Sequence, residues 1–177
     1  MPPPPRNVLF LCTGNTARSV LAESILRKLG AGRFNAFSAG SQPKGEVNPF
    51  ALKVLEALDY PIEGMRSKSW QEFAIPSAPQ MDLIITVCDN AAGESCPVWP
   101  GKPAAAHWGI EDPAAVAGSD TKKTRAFTEA FHRMKDRIAA FVALPIDKLD
   151  RVALSVALRE IGRLEGATGL AGGHVDD

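Results

Sequence analysis

The chain has 177 residues, of which 45% are hydrophobic and 23% charged, values typical of one globular domain with its own core. Its 20 Lys and Arg residues balance 20 Asp and Glu residues, and no basic cluster is interleaved with aromatic residues. The charge pattern therefore gives no indication of nucleic-acid binding. No apolar run approaches the roughly 20 residues that span a bilayer. The composition excludes a membrane-spanning protein and favours a small-molecule partner.

The two ends of the sequence differ from the middle. The opening "MPPPPRNVLF" has four prolines where a signal peptide would carry an apolar helix. We therefore expect residues 1–6 to be a disordered arm of a cytoplasmic protein and residues 7–165 to form one domain. Residues 166–177 are rich in glycine and have no periodicity, which predicts a flexible tail.

Short apolar runs and amphipathic segments alternate along the chain. Strands are predicted at residues 8–11, 34–38, 83–87 and 105–108. Helices are predicted to begin at Arg18, after the N-cap Asn48 and after Ser69, and to cover most of residues 121–144 and 147–164. This alternation predicts an α/β fold with a doubly wound parallel sheet, in which ligands bind outside the carboxyl ends of the strands. Cys12 and Cys88 both lie at such ends.

A loop of small residues joins the first strand to the first helix, with Cys12 at its start and Arg18 at its end. The N–H groups of such a loop, the helix dipole and an arginine fork together attract a tetrahedral anion. In that field the Cys12 thiol should ionise below its usual pKa of about 8.5 and act as a nucleophile. The alternative is a buried strand cysteine and a solvated helix arginine. The candidate oxyanion-binding residues are Thr13, Gly14, Asn15, Thr16, Ala17, Arg18 and Ser19, whose hydroxyl could also bond the thiolate.

The segment "VLFLCTGNTARS" resembles the phosphate-binding loop of the low-molecular-weight protein tyrosine phosphatases, a family that includes arsenate reductases coupled to thioredoxin. The resemblance covers about residues 7–145. It implies a single three-layer α/β/α domain with a four-stranded parallel sheet and flanking helices, Cys12 as nucleophile and Arg18 as oxyanion binder. It also implies that Asp112, which precedes Pro113, is the general acid.

Two further thiols, Cys88 and Cys96, lie in "TVCDNAAGESCPVWPG", which resembles the redox segment of thioredoxin-coupled arsenate reductases. There Cys88 would attack the Cys12 adduct and Cys96 would then take over the disulfide. A continuous helix would hold these two Cα atoms about 12 Å apart, so the segment must bend for them to bond. The alternatives are a strand-end cysteine with an idle surface thiol, and a zinc site, which the long spacing disfavours.

The sequence leaves three functions open. Arsenate reduction is favoured because a phosphatase needs no extra thiols, and because Ala114 and Ala115 follow the Asp–Pro pair, where phosphotyrosine-specific members carry an aromatic residue. The second is hydrolysis of phosphotyrosine or small phosphomonoesters, and the third is an oxyanion-binding or redox-sensing module. We expect no metal and no bound cofactor. The external reductant would be thioredoxin, or glutathione with glutaredoxin, and His107 could tune the site.

Overall fold

The computed structural model describes residues 3–93 and 97–169. Four strands alternate with five α-helices in these residues. In chain order the elements are β1 (Arg6–Cys12), α1 (Arg18–Leu29), β2 (Phe34–Gly40), α2 (Pro49–Ala57), β3 (Leu83–Thr86), α3 (Asp89–Gly93), β4 (Ala104–His107), α4 (Asp120–Val142) and α5 (Arg151–Gly162). Short 3₁₀ helices lie at Trp70–Phe73, Pro113–Ala115 and Ile146–Lys148. Within the described residues, no helix is long and apolar enough to cross a membrane.

The four strands form one parallel sheet in the order β2-β1-β3-β4. Cys12 pairs with Gly40 on one side of β1, and Leu11 pairs with Thr86 on the other. The carboxyl ends of these strands therefore meet at one edge of the sheet. The four-stranded parallel sheet with flanking helices confirms the predicted α/β fold.

The core lies on both faces of the sheet, because side chains alternate along a strand. In β1, Val8, Phe10 and Cys12 belong to the larger cluster, which the α-helices cover. Leu9 and Leu11 belong to a smaller cluster, in which they pack with the 3₁₀ helix Trp70–Phe73. Since β1 is apolar on both faces, it runs through the middle of the domain.

The predicted helix starts are explained by side-chain caps. Asn48 accepts a hydrogen bond from the Phe50 N–H at the start of α2, and Ser69 accepts one from the Gln71 N–H. Helix α1 differs, because its N-cap residue Ala17 makes no side-chain cap. Its first turn therefore continues directly from the loop that follows Cys12.

Helix α5 packs beside β4 at a close approach. The Trp108 indole donates to the Leu158 carbonyl at 2.9 Å, and a Cβ at Gly162 would lie 2.5 Å from the His107 carbonyl oxygen. Glycine is needed there because any side chain would push the helix off the strand. By contrast Val152, near the start of this helix, is 74% exposed.

Both ends of the predicted domain extend beyond the expected boundaries. Arg6, assigned to the disordered arm, begins β1 and pairs with Phe34. Within the predicted flexible tail, Ala167 forms a β-bridge with Ile110 and the Thr168 N–H donates to the Gly109 carbonyl at 3.1 Å. Glycine content alone did not reveal this packing. Residues 170–177 lie outside the described residues.

Candidate active site

The loop after Cys12 is held by hydrogen bonds to its carbonyl oxygens. The carbonyls of Thr13, Gly14 and Thr16 accept from the backbone N–H groups of Gln42, Lys44 and Asn48, respectively. In the described part of the chain, the N–H groups of residues 14–17 have no backbone acceptor. Gly40 allows this loop to lie against β2, because a Cβ there would overlap the Thr13 carbonyl. The loop thus turns its carbonyls away from its centre and keeps N–H groups for an anion.

Asn15 fixes the conformation of this loop. Its backbone is left-handed, with a φ of 50°, which asparagine tolerates better than most residues. Its side-chain amide donates to Ser19 Oγ at 2.8 Å and to Ser38 Oγ at 3.0 Å, and its Oδ1 accepts from the Lys68 N–H at 2.9 Å. The Ser19 hydroxyl was expected near the Cys12 thiolate. It instead accepts a hydrogen bond from the Asn15 side chain and so helps to hold the loop.

A buried carboxylate lies behind Asn15 and was not identified from the sequence. Glu23 is 5% exposed and accepts from the Ser38 hydroxyl at 2.7 Å. Its charge is balanced by Arg27 at 2.6 Å and by Lys68 at 3.7 Å. Burial lowers the pKa of Lys68. No sequence motif identifies these charged residues, because their pairing depends on contacts between distant segments of the chain.

Arg18 spans the space between the loop and the segment after β4. Its Nη1 donates to the Ile110 carbonyl at 3.0 Å, and its Nη2 lies 3.6 Å from Asp112 Oδ2. Among the described residues, Arg18 Nε is buried and has no hydrogen-bond partner. A buried guanidinium N–H without an acceptor is costly unless a ligand satisfies it. An oxyanion in the loop would supply that acceptor.

The predicted general acid lies at the same site. Asp112 Oδ1 accepts from the Ala114 N–H at 3.0 Å and so caps the 3₁₀ helix Pro113–Ala115. Asp112 also lines a cleft of about 770 Å³ between the segment after β4, helix α4 and residues 166–169. Ala114 and Ala115 are exposed and offer no aromatic surface at this end.

Cys12 and Cys88 are brought together at the edge of the sheet. Both are buried and free, at 5% and 2% exposure. Their thiols are hydrogen-bonded to each other. Cys88 Sγ also accepts from the Ala91 N–H at 3.4 Å and lies 3.6 Å from Thr13 Oγ1. Cys96, the third predicted thiol, lies outside the described residues.

The ionisation of each thiol in this pair depends on the other. The hydrogen bond from Cys12 lowers the pKa of Cys88 to about 5, against the opposing effect of burial. The same hydrogen bond and burial raise the pKa of Cys12, although Arg18 opposes them. In the reduced protein the pair therefore shares one negative charge: the hydrogen bond favours the thiolate on Cys88, and Arg18 lowers the pKa of both thiols. The sequence placed both thiols at strand ends but gave no sign that one would ionise at the other's expense.

A second polar cluster adjoins Cys88. His107 Nδ1 lies 2.6 Å from Thr86 Oγ1, and His107 Nε2 lies 2.7 Å from Asp89 Oδ1. The same Asp89 oxygen accepts from the Thr168 hydroxyl at 2.7 Å. Burial raises the pKa of Asp89, but the hydrogen bonds from Thr168 and His107 outweigh burial and lower it. Asp89 and Thr168 were not predicted as site residues.

The fold and the loop define a class of protein, namely a parallel α/β domain with a loop suited to an oxyanion beside a cysteine at the carboxyl edge of its sheet. The low molecular weight phosphotyrosine protein phosphatase family matches residues 7–152. The chain belongs to this family.

Within the family, the chain is similar to proteins named arsenate reductase. The arsenate reductase of Oceanobacillus iheyensis is 33% identical over 134 residues, which cover 76% of this chain and 93% of the relative. A solved structure of an arsenate reductase in the phosphate-binding state has a TM-score of 0.63 and 27% identity, and the match covers 78% of this chain and 97% of that one. The thioredoxin-dependent arsenate reductase of Corynebacterium glutamicum has a TM-score of 0.59 and 26% identity, with coverage of 80% and 62%.

Proposed function

We propose that this enzyme reduces arsenate to arsenite through a relay of three thiols, Cys12, Cys88 and Cys96. The observation that carries the proposal is the hydrogen-bonded pair of Cys12 and Cys88 thiols beside Arg18. Hydrolysis of a phosphate ester needs one nucleophilic thiol, whereas reduction needs a second thiol close enough to attack the first. Similarity to several arsenate reductases supports the same reaction.

The first step is binding of arsenate, a tetrahedral anion of nearly the same shape as phosphate. The N–H groups of residues 14–17 would donate to its oxygens, and Arg18 would donate through its buried Nε. The relative with phosphate bound supports oxyanion binding by this fold. Arsenate brings negative charge next to the thiol pair, so the site needs the fixed positive charge of Arg18.

The second step joins Cys12 to arsenic. The Cys12 proton passes to the Cys88 thiolate along their hydrogen bond, and Cys12 Sγ attacks arsenic. An S–As bond forms and one As–O bond breaks, and the departing oxygen takes up protons and leaves as water. Asp112, 3.6 Å from Arg18, is positioned to donate one of those protons.

The third step reduces arsenic. Once deprotonated again, the Cys88 thiolate attacks Sγ of Cys12 and forms an S–S bond as the S–As bond breaks. The electron pair of the broken bond stays on arsenic, which changes from arsenic(V) to arsenic(III) and leaves as arsenite. The two thiols together supply the two electrons. In the adduct Cys12 has no S–H left to donate, so the Cys88 thiolate is stabilised by the Ala91 N–H, by Thr13 and by the charge of Arg18, which also lower the pKa of Cys88.

The last step exports the disulfide. The Cys96 thiolate attacks Cys88 Sγ, so that Cys12 is released as a thiolate and a Cys88–Cys96 disulfide remains. An external dithiol then reduces it. The thioredoxin-dependent relative supports thioredoxin as this reductant, and glutathione with glutaredoxin is the alternative. Because the relay needs free thiols, we propose that the enzyme works in the cytoplasm.

Phosphatase activity is the second candidate function, since Cys12, Arg18 and Asp112 suffice for a phosphoenzyme mechanism. The exposed Ala114 and Ala115 favour small phosphomonoesters over phosphotyrosine, because they cannot stack on a phenyl ring. Steady-state turnover of arsenate with thioredoxin and with glutathione plus glutaredoxin, beside hydrolysis of a small aryl phosphate, tests both functions. Repeated arsenate turnover with either reductant supports the relay. Ester hydrolysis without any arsenate reduction would leave the phosphatase as the function.

A further inference from the structure

A short segment after α5 reaches back to the candidate active site. We call residues 164–169 the C-terminal strap. The family match ends at residue 152, so this segment lies beyond it. Its residues 166–169 form one wall of the cleft that Asp112 also lines. The strap therefore lies outside the residues that match the family and lines the same cleft as Asp112.

The first part of the strap is anchored to helix α4. Arg137 is fully buried and donates to the Leu164 carbonyl at 2.9 Å and to the Glu165 carbonyl at 3.2 Å. Arg133 lies 3.2 Å from the Glu165 carboxylate. Gly166, with a φ of +90°, then turns the chain toward the site. A side chain at Gly166 would be strained there and would meet Arg133.

The second part of the strap is joined to the segment after β4. Ala167 pairs with Ile110, and the Thr168 N–H donates to the Gly109 carbonyl. Ile110 is the residue whose carbonyl accepts from Arg18. These are backbone contacts, so they persist when the Thr168 side chain is changed.

The Thr168 side chain makes a different connection, to the redox segment. Its hydroxyl donates to Asp89 Oδ1, the oxygen that also contacts His107 Nε2. Asp89 follows Cys88 and is the first residue of α3. Gly109 makes this convergence possible, because a Cβ there would overlap Thr168 Oγ1 and lie 2.7 Å from Asp89 Oδ1. Asp89 is thus hydrogen-bonded both to Thr168 of the strap and to His107 of β4.

We infer that Thr168 is a positioning residue for the reduction: through Asp89 it holds the start of α3, and so keeps Cys88 beside Cys12. The inference rests on the proposed relay, in which Cys88 first attacks Cys12 and then moves to meet Cys96. Helix α3 has only five residues, too few to be stable alone. The contacts of Asp89 with Thr168 and His107 therefore control how often Cys88 leaves Cys12.

The test compares Thr168→Val with Thr128→Val in the reduced full-length protein. Valine keeps the size of threonine but removes the hydroxyl. Thr128 is a matched control, because its hydroxyl donates to the Thr124 carbonyl on α4, away from the site. The readout is the rate at which iodoacetamide modifies Cys88, followed by mass spectrometry of the peptide. We expect about a fivefold increase for Thr168→Val, since a lost hydrogen bond to a carboxylate favours local opening, and no change for Thr128→Val.

Two additional variants distinguish a positioning role of Thr168 from a general loss of structure. Thr168→Ser retains the hydroxyl and should restore the wild-type modification rate. In an Asp89→Ala background, Thr168→Val should add nothing, because its effect passes through Asp89. The ratio of arsenate reduction to aryl phosphate hydrolysis should also fall in Thr168→Val, because only reduction depends on Cys88.

The outcomes distinguish this inference from the proposed function. If wild-type protein reduces arsenate but Thr168→Val changes neither the Cys88 modification rate nor the activity ratio, the inference is wrong and the relay stands. If Cys88 modification accelerates as expected but no reductant supports arsenate turnover, Thr168 positions Cys88 and the proposed function is wrong. Equal effects of Thr168→Val in the wild-type and Asp89→Ala backgrounds would show that it does not act through Asp89.

Discussion

Cys12 is the last residue of β1 and Cys88 lies two residues after β3, and their thiols are hydrogen-bonded at the carboxyl edge of the sheet. This contact brings the two sulfur atoms within hydrogen-bonding reach of each other. It also means that each thiol changes the ionisation of the other, so the two act as one unit. The proposed reductase and phosphatase activities therefore differ in whether this pair, or Cys12 alone, is needed.

Cys88→Ser and Cys96→Ser should separate the two activities. Both variants should lose multiple-turnover arsenate reduction, because one cannot resolve the Cys12 adduct and the other cannot export the disulfide. Aryl phosphate hydrolysis should persist in both, because without the Cys88 thiol, which raises the pKa of Cys12, the charge of Arg18 favours ionisation of Cys12 itself. Cys96→Ser should still complete one turnover and stop with Cys12 and Cys88 bridged, which mass spectrometry after blocking free thiols would detect. Repeated reduction by both variants with thioredoxin as sole reductant would mean that an external thiol resolves the adduct directly.

Cys12→Ser should abolish both activities. A serine hydroxyl does not ionise in this site near neutral pH, so no nucleophile remains. We expect each rate to fall by at least about a thousandfold. Phosphate binding, measured by calorimetry, should be largely retained, because the loop N–H groups and Arg18 remain. Appreciable turnover in this variant would assign the nucleophile to another residue.

Arg18→Lys should impair both activities at the binding and chemical steps. Lysine would replace a planar fork, with bonds to Ile110 and a buried Nε–H, by a single ammonium group. We expect a loss of roughly a hundredfold or more in kcat/KM for arsenate and for aryl phosphate. Arg27→Lys, on the same helix but on the far side of Glu23, is the control. Unchanged arsenate affinity in Arg18→Lys would place the anion elsewhere.

The order of elements and the site loop were predictable because both depend on local sequence. Short apolar runs predicted the strands and period-3.6 patterns predicted the helices, and the spacing of Cys12 and Arg18 predicted the loop. The parallel sheet then explains why Cys12, Cys88 and Asp112 lie near one edge. Such inferences need only the chain direction and the fold class.

The other features of the site depend on contacts between segments that are distant in sequence and carry no local signal. Lys68 approaches Glu23 only because residues 67–69 run beside β2 and the loop. Thr168 lies in a glycine-rich stretch that predicts a free tail, yet Gly109 leaves room for its hydroxyl beside Asp89. The raised pKa of Cys12 likewise comes first from Cys88, a neighbour in space and not in sequence.

Asn15→Ala should destabilise the loop that follows Cys12. The substitution removes the side-chain bonds to Ser19, Ser38 and the Lys68 N–H and places alanine at a φ of 50°. We expect the free energy of unfolding to fall by about 2–4 kcal/mol and inhibition by phosphate to weaken. Asn35→Ala, which removes one exposed bond to Asn7, is the control and should change stability by less than about 1 kcal/mol.

The shared charge of the thiol pair predicts a pH dependence of stability. The pKa of Cys88 is lowered in the folded protein from 9.0 to about 5, so its contribution is present above the unfolded pKa and is lost as pH falls through about 5. The pKa of Cys12 is raised from 9.0, so its contribution is present below the unfolded pKa and is lost as pH rises. The stability that the pair confers should therefore increase with pH between about 5 and 9 and decrease above that range.

Two measurements on reduced protein check this dependence. The ultraviolet absorbance of thiolate should titrate one sulfur with a midpoint near pH 5 in the wild type, and this transition should disappear in Cys88→Ala. In Cys12→Ala the midpoint should move upward, because the hydrogen bond from Cys12 is the largest cause of the low pKa of Cys88. Urea unfolding from pH 5 to 8 should show the wild type gaining stability relative to Cys88→Ala as pH rises, by up to about 1.4 kcal/mol per pH unit. A titration that survives in Cys88→Ala and vanishes in Cys12→Ala would instead place the thiolate on Cys12.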